Sequence, residues 1–275
     1  MSMRLEAMPN FRDAGGHATA DGRRIRTGVL YRSDQIGKLS DEDARRLSGI
    51  GIRFVYDLRT AGERATLSTE RIPGATHVVL DVLADDRRAT PAQVIALLGN
   101  AGAAGDVLGD GKAAALMTES YRSFLQLESA RAGFGQLYRE LADAARVPAL
   151  VHCTTGKDRT GWACASLQLW LGVPYEAVLQ DFLASNRYIL PKYEPHLRAF
   201  AVAGGDPELL LPVLTVREEY LAASLHEMQR MYGSIDGYFS AGLGLGPVVQ
   251  RTLRERFLDS SADHDAVKQG RRTLP

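Results

Sequence analysis

The stretch Pro148–Gly172, PALVHCTTGKDRTGWACASLQLWLG, contains the change of pattern that decides the fold. PALVH (148–152) is a short apolar run of the kind that forms a buried strand, and TGWACASLQLWLG (160–172) has the make-up of a helix. CTTGKDR (153–159) is then the turn between them. A turn that leaves a strand and opens a helix carries amide N–H groups with no intrahelical acceptor and faces the positive end of the helix dipole, so it is a ready cradle for an anion. The spacing H-C-x-x-G-x-x-R-T is short enough for the intervening N–H groups to point at one object. Gly156 lets the backbone turn tightly with no Cβ in the cradle.

Outward from this element, GVLYRS (28–33), IRFVYDLR (52–59) and ATHVVL (75–80) also read as strands. Between the first two lies KLSDEDARRLSGIG (38–51), where Ser40 caps a helix, Asp41 and Glu42 occupy its first turn, and Gly49 or Gly51 ends it. Strand, helix, strand is the unit of a parallel sheet. Apolar residues at helical spacing recur in 129–146, 174–188, 216–233 and 246–258, so the C-terminal half is expected to be helical. The Ala- and Gly-rich segment at about 87–115 reads as weak helices, with 81–118 either a lid or a surface insertion. The resulting expectation is one domain over 1–258 and a disordered polar tail over 259–275.

Composition narrows the function classes. The 275 residues are 45% hydrophobic and 24% charged, as in an ordinary globular protein. Lys plus Arg and Asp plus Glu are each 33, and a formal net charge of 0 provides no overall attraction to nucleic acid or an anionic membrane. No run approaches the roughly 20 apolar residues of a membrane span, and the N-terminus has no signal-peptide core. The expected compartment is the cytoplasm, with secretion by a route that needs no signal peptide left open. The two cysteines, Cys153 and Cys164, form neither a disulfide framework nor by themselves a zinc site.

The loop's chemistry follows from its residue types. Beside cations and at helix N-termini a cysteine's pKa falls from about 8.5 to roughly 3.5–7.5, so Cys153 is expected to be a thiolate. Arg159 supplies a planar fork matched to two oxygens of a phosphate. A thiolate can attack phosphorus in line while the amides of Thr154, Thr155, Gly156, Lys157 and Asp158, with Arg159, hold the other oxygens. Thr160 can donate to the sulfur as it departs, and His152 is expected to fix the loop by hydrogen bonding. No metal or cofactor is required. Cys164, among Trp162, Ala163 and Leu167, reads as a core residue. Lys157 reads as a cation at the rim, either solvated or touching a second phosphate. A loop-cysteine sulfurtransferase of the rhodanese kind is the rival reading, and the Arg-Thr closing the loop favours phosphate.

HCTTGKDRTG, with NFRD (10–13), LYRS (30–33) and DLRT (57–60), resembles the bacterial Cys-based tyrosine phosphatases related to the secreted mycobacterial tyrosine phosphatase B. The resemblance covers roughly 9–258. It implies a dual-specificity-phosphatase-like α/β fold, with a mainly parallel central sheet flanked by helices. It also implies Cys153 as nucleophile, Arg159 on the phosphate, and activity on phosphotyrosine, extending to phosphoserine/threonine and phosphoinositides. Its pattern has an aspartate inside the loop, which makes Asp158 the candidate general acid. The competing role for Asp158 is an ion pair bracing Arg159 or Arg12, and the competing acids are Asp81, Asp85 and Asp86 after the 75–80 strand. Arg12, Asp13, Arg32, Asp57 and Arg59, at strand ends and turns, are supporting candidates, while Tyr188, Tyr193 and Tyr220 read as packing residues. The expected partner is a phosphorylated protein or a phosphoinositide. The alternative of another class is a phosphate-binding pseudophosphatase without turnover. Oligomeric state is not fixed by the sequence.

Overall fold

A computed structural model describes residues 5–67, 69–86 and 101–259. The elements are β1 (Arg12–Asp13), β2 (Leu30–Ser33), α1 (Asp41–Ile50), β3 (Phe54–Asp57), α2 (Ala61–Thr66) and β4 (Thr76–Val79). They continue with α3 (Ala101–Leu108), α4 (Lys112–Gln126), α5 (Glu128–Leu141), β5 (Ala149–His152), α6 (Arg159–Trp170) and α7 (Tyr175–Val202). After a single turn at Leu211–Leu214 come α8 (Glu218–Tyr232), a short turn with a π segment at Tyr238–Gly242, and α9 (Pro247–Phe257).

The sheet has the order β1-β2-β5-β3-β4, and every pairing except β1 with β2 is parallel. Its strands coincide with the four runs expected from sequence, and β1, inside the NFRD stretch, is the addition. The strand latest in sequence lies in the middle: β5 pairs with β2 in the register Ser33↔His152 and with β3 in the register Asp57↔His152. Parallel strands are covered on both faces, and all four residues of β5 are buried accordingly. The strand alternates between two cores. Ala149, Val151 and Cys153 join the larger one with α4, α5 and α6, while Leu150 joins Leu47, Val55 and Ile72 on the α1 side. Because β2, β3, β4 and β5 run the same way, Ser33, Asp57, Val79 and His152 end at one edge, where open α/β sheets place their ligands.

Local signals account for the helix boundaries. Ser40 accepts from Asp43 N–H, and of the two candidate stops it is Gly51, at φ 71°, that closes α1. Two departures from the sequence reading concern helices. α7 runs on to Val202 through Pro191 and Pro195, which a rule ending helices at proline does not anticipate. The 81–118 segment is in part core: Leu108, Ala113 and Met117 are buried among the larger cluster, because α4 presents one apolar face to it. Residues 87–100 and the tail from 260 lie outside the described residues. Among the described residues no helix is long and apolar enough to cross a membrane.

Candidate active site

The loop from Cys153 to Asp158 leaves the buried end of β5 and feeds directly into α6. Gly156 sits at φ 67°, and a Cβ there would come within 2.3 Å of Ser33 O, so only glycine fits between the loop and the end of β2. Cys153 is fully buried. Among the described residues, none of the amides from Thr154 to Asp158 donates a hydrogen bond within the chain, and the N-cap Asp158 makes no side-chain cap. The start of α6 is therefore left open toward the loop's interior.

Arg159 is held by a residue the sequence reading passed over. Its Nη1 and Nη2 donate to Glu63 Oε2 and Oε1, both at 2.6 Å, and Nη1 also reaches Leu58 O at 3.3 Å. A guanidinium has five N–H groups, and these three bonds leave Nε–H and the second Nη2–H, which lie parallel along one edge. That edge is a fork of its own, free for two oxygens of an anion. Thr154 Oγ1 also donates to Glu63. Burial raises the Glu63 carboxyl's proton affinity, but Arg159 and Thr154 outweigh it and hold its pKa down to about 2. Burial likewise works against the Arg159 charge, and the neighbouring Cys153 and Glu63 outweigh it and raise its pKa. The signal for Glu63 was present: T-x-x-E at Thr60–Glu63 is a capping box, and it opens α2 as one.

Asp158 accepts from Tyr121 Oη at 2.9 Å and from Lys157 Nζ at 2.8 Å, both on Oδ1. The ion pair with Arg159 or Arg12 weighed from the sequence is not formed, since Arg159 is engaged with Glu63 at 2.6 Å and Arg12 with Asp181 at 2.9 Å, and Asp158 pairs with Lys157 instead. Lys157 is not at the rim. Its side chain is 2% exposed, and Nζ turns inward to Asp158 and to Thr215 O at 3.4 Å, so neither the solvated reading nor the second-phosphate reading describes it. Thr160, in the first turn of α6, is wholly buried, and from there its hydroxyl reaches no hydrogen-bond partner among the described residues, so the expected contact with the sulfur is absent.

The remaining candidates brace the scaffold. Asp57 and Arg59 form a buried bidentate pair at 2.7–3.1 Å, and Arg59 Nη1 also donates to Leu67 O at 2.8 Å. Arg12 and Arg32 share Asp181 of α7, which they keep well ionised against its burial. Arg32 Nη2 also donates to Gly156 O at 3.0 Å. Asp13 accepts from the N–H groups of Gly15 and Gly28. His152 Nδ1 lies 3.2 Å from Cys153 O, and burial lowers the ring's pKa, keeping it neutral. Asp81 and Asp85, after β4, are committed elsewhere: Asp81 accepts from Ala61 and Leu83 N–H, and Asp85 from Glu128 and Ser129 N–H. Asp86 donates its own N–H to Leu83 O. Cys164 is a buried thiol whose pKa is pushed up to about 11 by burial. Tyr220 packs beside Tyr121, and Tyr188 lies under the Arg12 guanidinium. Among the described residues no group of three His, Cys, Asp or Glu is placed to hold a metal ion.

An open cradle at the carboxyl edge of a parallel sheet, with a cysteine at its base and an arginine at its close, defines a cysteine-dependent phosphatase. The chain belongs to the tyrosine phosphatase family, whose sequence profile matches residues 3–259. It is 34% identical over 250 residues to a Cupriavidus necator protein provisionally named a tyrosine-protein phosphatase, covering 87% of this chain and 83% of that one. It is 32% identical over 264 residues to the triple specificity protein phosphatase PtpB of Mycobacterium tuberculosis, covering 87% and 93%. Among solved structures, that of Pseudomonas aeruginosa TpbA aligns over 74% of this chain and 90% of its own at 19% identity, with a TM-score of 0.26, too low to add to the fold described above. The protein is a protein tyrosine phosphatase, a phosphoric monoester hydrolase.

Proposed function

We propose that Cys153 carries the phosphoryl group and that Asp158 moves the proton. The Cys153 sulfur attacks phosphorus as the bond to the leaving oxygen breaks, and the Asp158 carboxyl gives that oxygen its proton. Water then attacks the cysteinyl-phosphate, Asp158 takes a proton back, and the thiolate leaves with orthophosphate released. The loop amides and the Nε/Nη2 edge of Arg159 hold the three remaining oxygens through both steps. One observation carries the reading: among the described residues the amides of 154–158 find no acceptor, while Glu63 fixes Arg159 with one edge to spare. Both donors to Asp158 end on Oδ1, so Oδ2 is the oxygen that bears the transferable proton.

Phosphotyrosine in proteins is the primary substrate on this reading. The M. tuberculosis relative's name speaks of triple specificity, which supports a range wider than one phosphoester class here too. The inward turn of Lys157 removes the side-chain contact that favoured phosphoinositides. A thiol nucleophile is best preserved in a reducing compartment, which favours the cytoplasm. The test compares rates on a phosphotyrosine peptide, a phosphoserine peptide and phosphoinositide vesicles without added metal. The phosphotyrosine peptide is expected to turn over fastest. Binding of that peptide without turnover would replace the enzyme by the phosphate-binding alternative, and fastest turnover of the vesicles would reassign the substrate.

A further inference from the structure

Three successive carbonyls of the catalytic loop are tethered from outside it. Gln35 N–H donates to Thr154 O at 3.2 Å, Asn10 Nδ2 to Thr155 O at 3.0 Å, and Arg32 Nη2 to Gly156 O at 3.0 Å. A trans peptide is planar, so its C=O and the N–H of the next residue point in opposite directions. Pulling the carbonyls of residues 154, 155 and 156 outward therefore turns the N–H groups of Thr155, Gly156 and Lys157 inward.

Of the three tethers, one is a backbone amide and one, Arg32, also carries the ion pair with Asp181. Asn10 is the side chain whose contact with the loop can be tested alone. It is fully buried, and its polar groups are all engaged. Its N–H donates to Asp34 Oδ1 at 3.1 Å, and Arg12 Nη1 donates to its Oδ1 at 2.6 Å and to its carbonyl at 3.2 Å. The Arg12 bond fixes which way the amide faces: with Oδ1 held by a cation, Nδ2 must face Thr155 O. Asp34 is itself buried and accepts from Ser33 Oγ and from Lys192 Nζ of α7, so Asn10 is backed by a second layer.

We propose that Asn10 is a positioning residue for oxyanion binding, setting the Gly156 N–H toward the phosphoryl oxygens through the Thr155 carbonyl. The inference rests on the placement of phosphate in this loop under the proposed function. Its test is tungstate binding by calorimetry together with steady-state kinetics, on the unaltered protein, Asn10→Ala and Asn10→Asp. The carboxylate of Asn10→Asp keeps the acceptor for Arg12 but has no hydrogen for Thr155 O, so it releases the tether while retaining the Arg12 contact. Both variants are expected to bind tungstate about 10- to 100-fold more weakly per folded molecule, the scale of a lost hydrogen bond to a charged group, with the loss in kcat/KM of similar size. Raised salt should not restore binding to Asn10→Ala, which carries no added charge. In the unaltered protein the Gly156 amide resonance should move on tungstate addition. Variants that bind tungstate as tightly as the parent, merely melting earlier, would overturn the positioning role, as would a Gly156 resonance that stays still while tungstate binds. A parent that binds no tungstate would overturn the phosphate reading itself, and the inference with it.

Discussion

The starts of α2, α5 and α6 face the same physical problem and meet it in opposite ways. At α2, Thr60 and Glu63 form a reciprocal capping box, and Asp81 reaches across from the end of β4 to take the Ala61 N–H at 2.9 Å. At α5, Asp85 takes the N–H groups of Glu128 and Ser129 at 3.0 and 3.4 Å. At α6 no side chain among the described residues caps the first turn, although an aspartate occupies the N-cap position. Its carboxylate is turned to Tyr121 and Lys157 instead. The difference teaches where an acid is available for chemistry: a carboxylate spent on helix amides is structural, whereas amides left without one are a site for an external anion.

The comparison breaks most visibly at the nucleophile. Cys153→Ser should lower kcat/KM by roughly 10⁴-fold or more, yet leave tungstate binding in place, because the hydroxyl is not ionised while the open amides are unchanged. Retention of activity within about tenfold would remove the covalent step. Glu63→Gln tests whether the closed start of α2 also serves the open one. Leaving the buried Arg159 without its counter-charge should destabilise the protein by about 3–5 kcal/mol in urea unfolding and weaken tungstate binding. An unchanged urea midpoint would show that Arg159 finds another partner.

Asp158→Asn sharpens the contrast between available and committed acids. Its Oδ1 can still accept from Tyr121 and Lys157, so the expected loss is about 100-fold on alkyl phosphates and near zero on aryl phosphates with good leaving groups. The same leaving-group dependence in Asp81→Asn would move the acid to the loop after β4. Asp85→Ala should cost about 1 kcal/mol of stability, as lost helix caps do, with kcat unaltered. A fall in kcat there would show that the closed start is not merely structural.

The smallest effect concerns pH. Burial, followed by Arg71 and His152, lowers the pKa of His77 from 6.5 to about 4, and burial lowers that of His152 as well. Between pH 6.5 and about 4 the unfolded chain thus binds protons that the folded chain does not, and stability that is complete above pH 6.5 is lost progressively as pH falls toward 4. Glu63, whose pKa is held down from 4.5 to about 2, adds to the same trend at the acid end of that window, because the unfolded chain's glutamate begins to take up its proton there while the folded one stays charged. The urea midpoint should be lower at pH 5 than at pH 7.5, and His77→Gln should flatten the difference. A midpoint that rises on acidification would contradict the assignment.

By itself the sequence determined the strand-loop-helix element around Cys153, the cap of α1 and its stop to within two glycines, and the parallel strands. Each is set by residues a few positions apart, whose backbone preferences and apolar spacing act before any distant contact forms. The chain's family was likewise readable from HCTTGKDRTG. Only the tertiary structure decided that β5 inserts between β2 and β3, since strand order depends on which faces bury together and not on local preference. It also decided the company kept by the loop: Tyr121 reaches Asp158 across 37 positions, Glu63 reaches Arg159 across 96, and Asn10 reaches Thr155 across 145. At such separations no spacing pattern exists to read. A lysine drawn as a rim cation and a threonine drawn toward the sulfur both turned inward for the same reason, because the elements packed over the loop fix how much water reaches it and which acceptors its side chains meet.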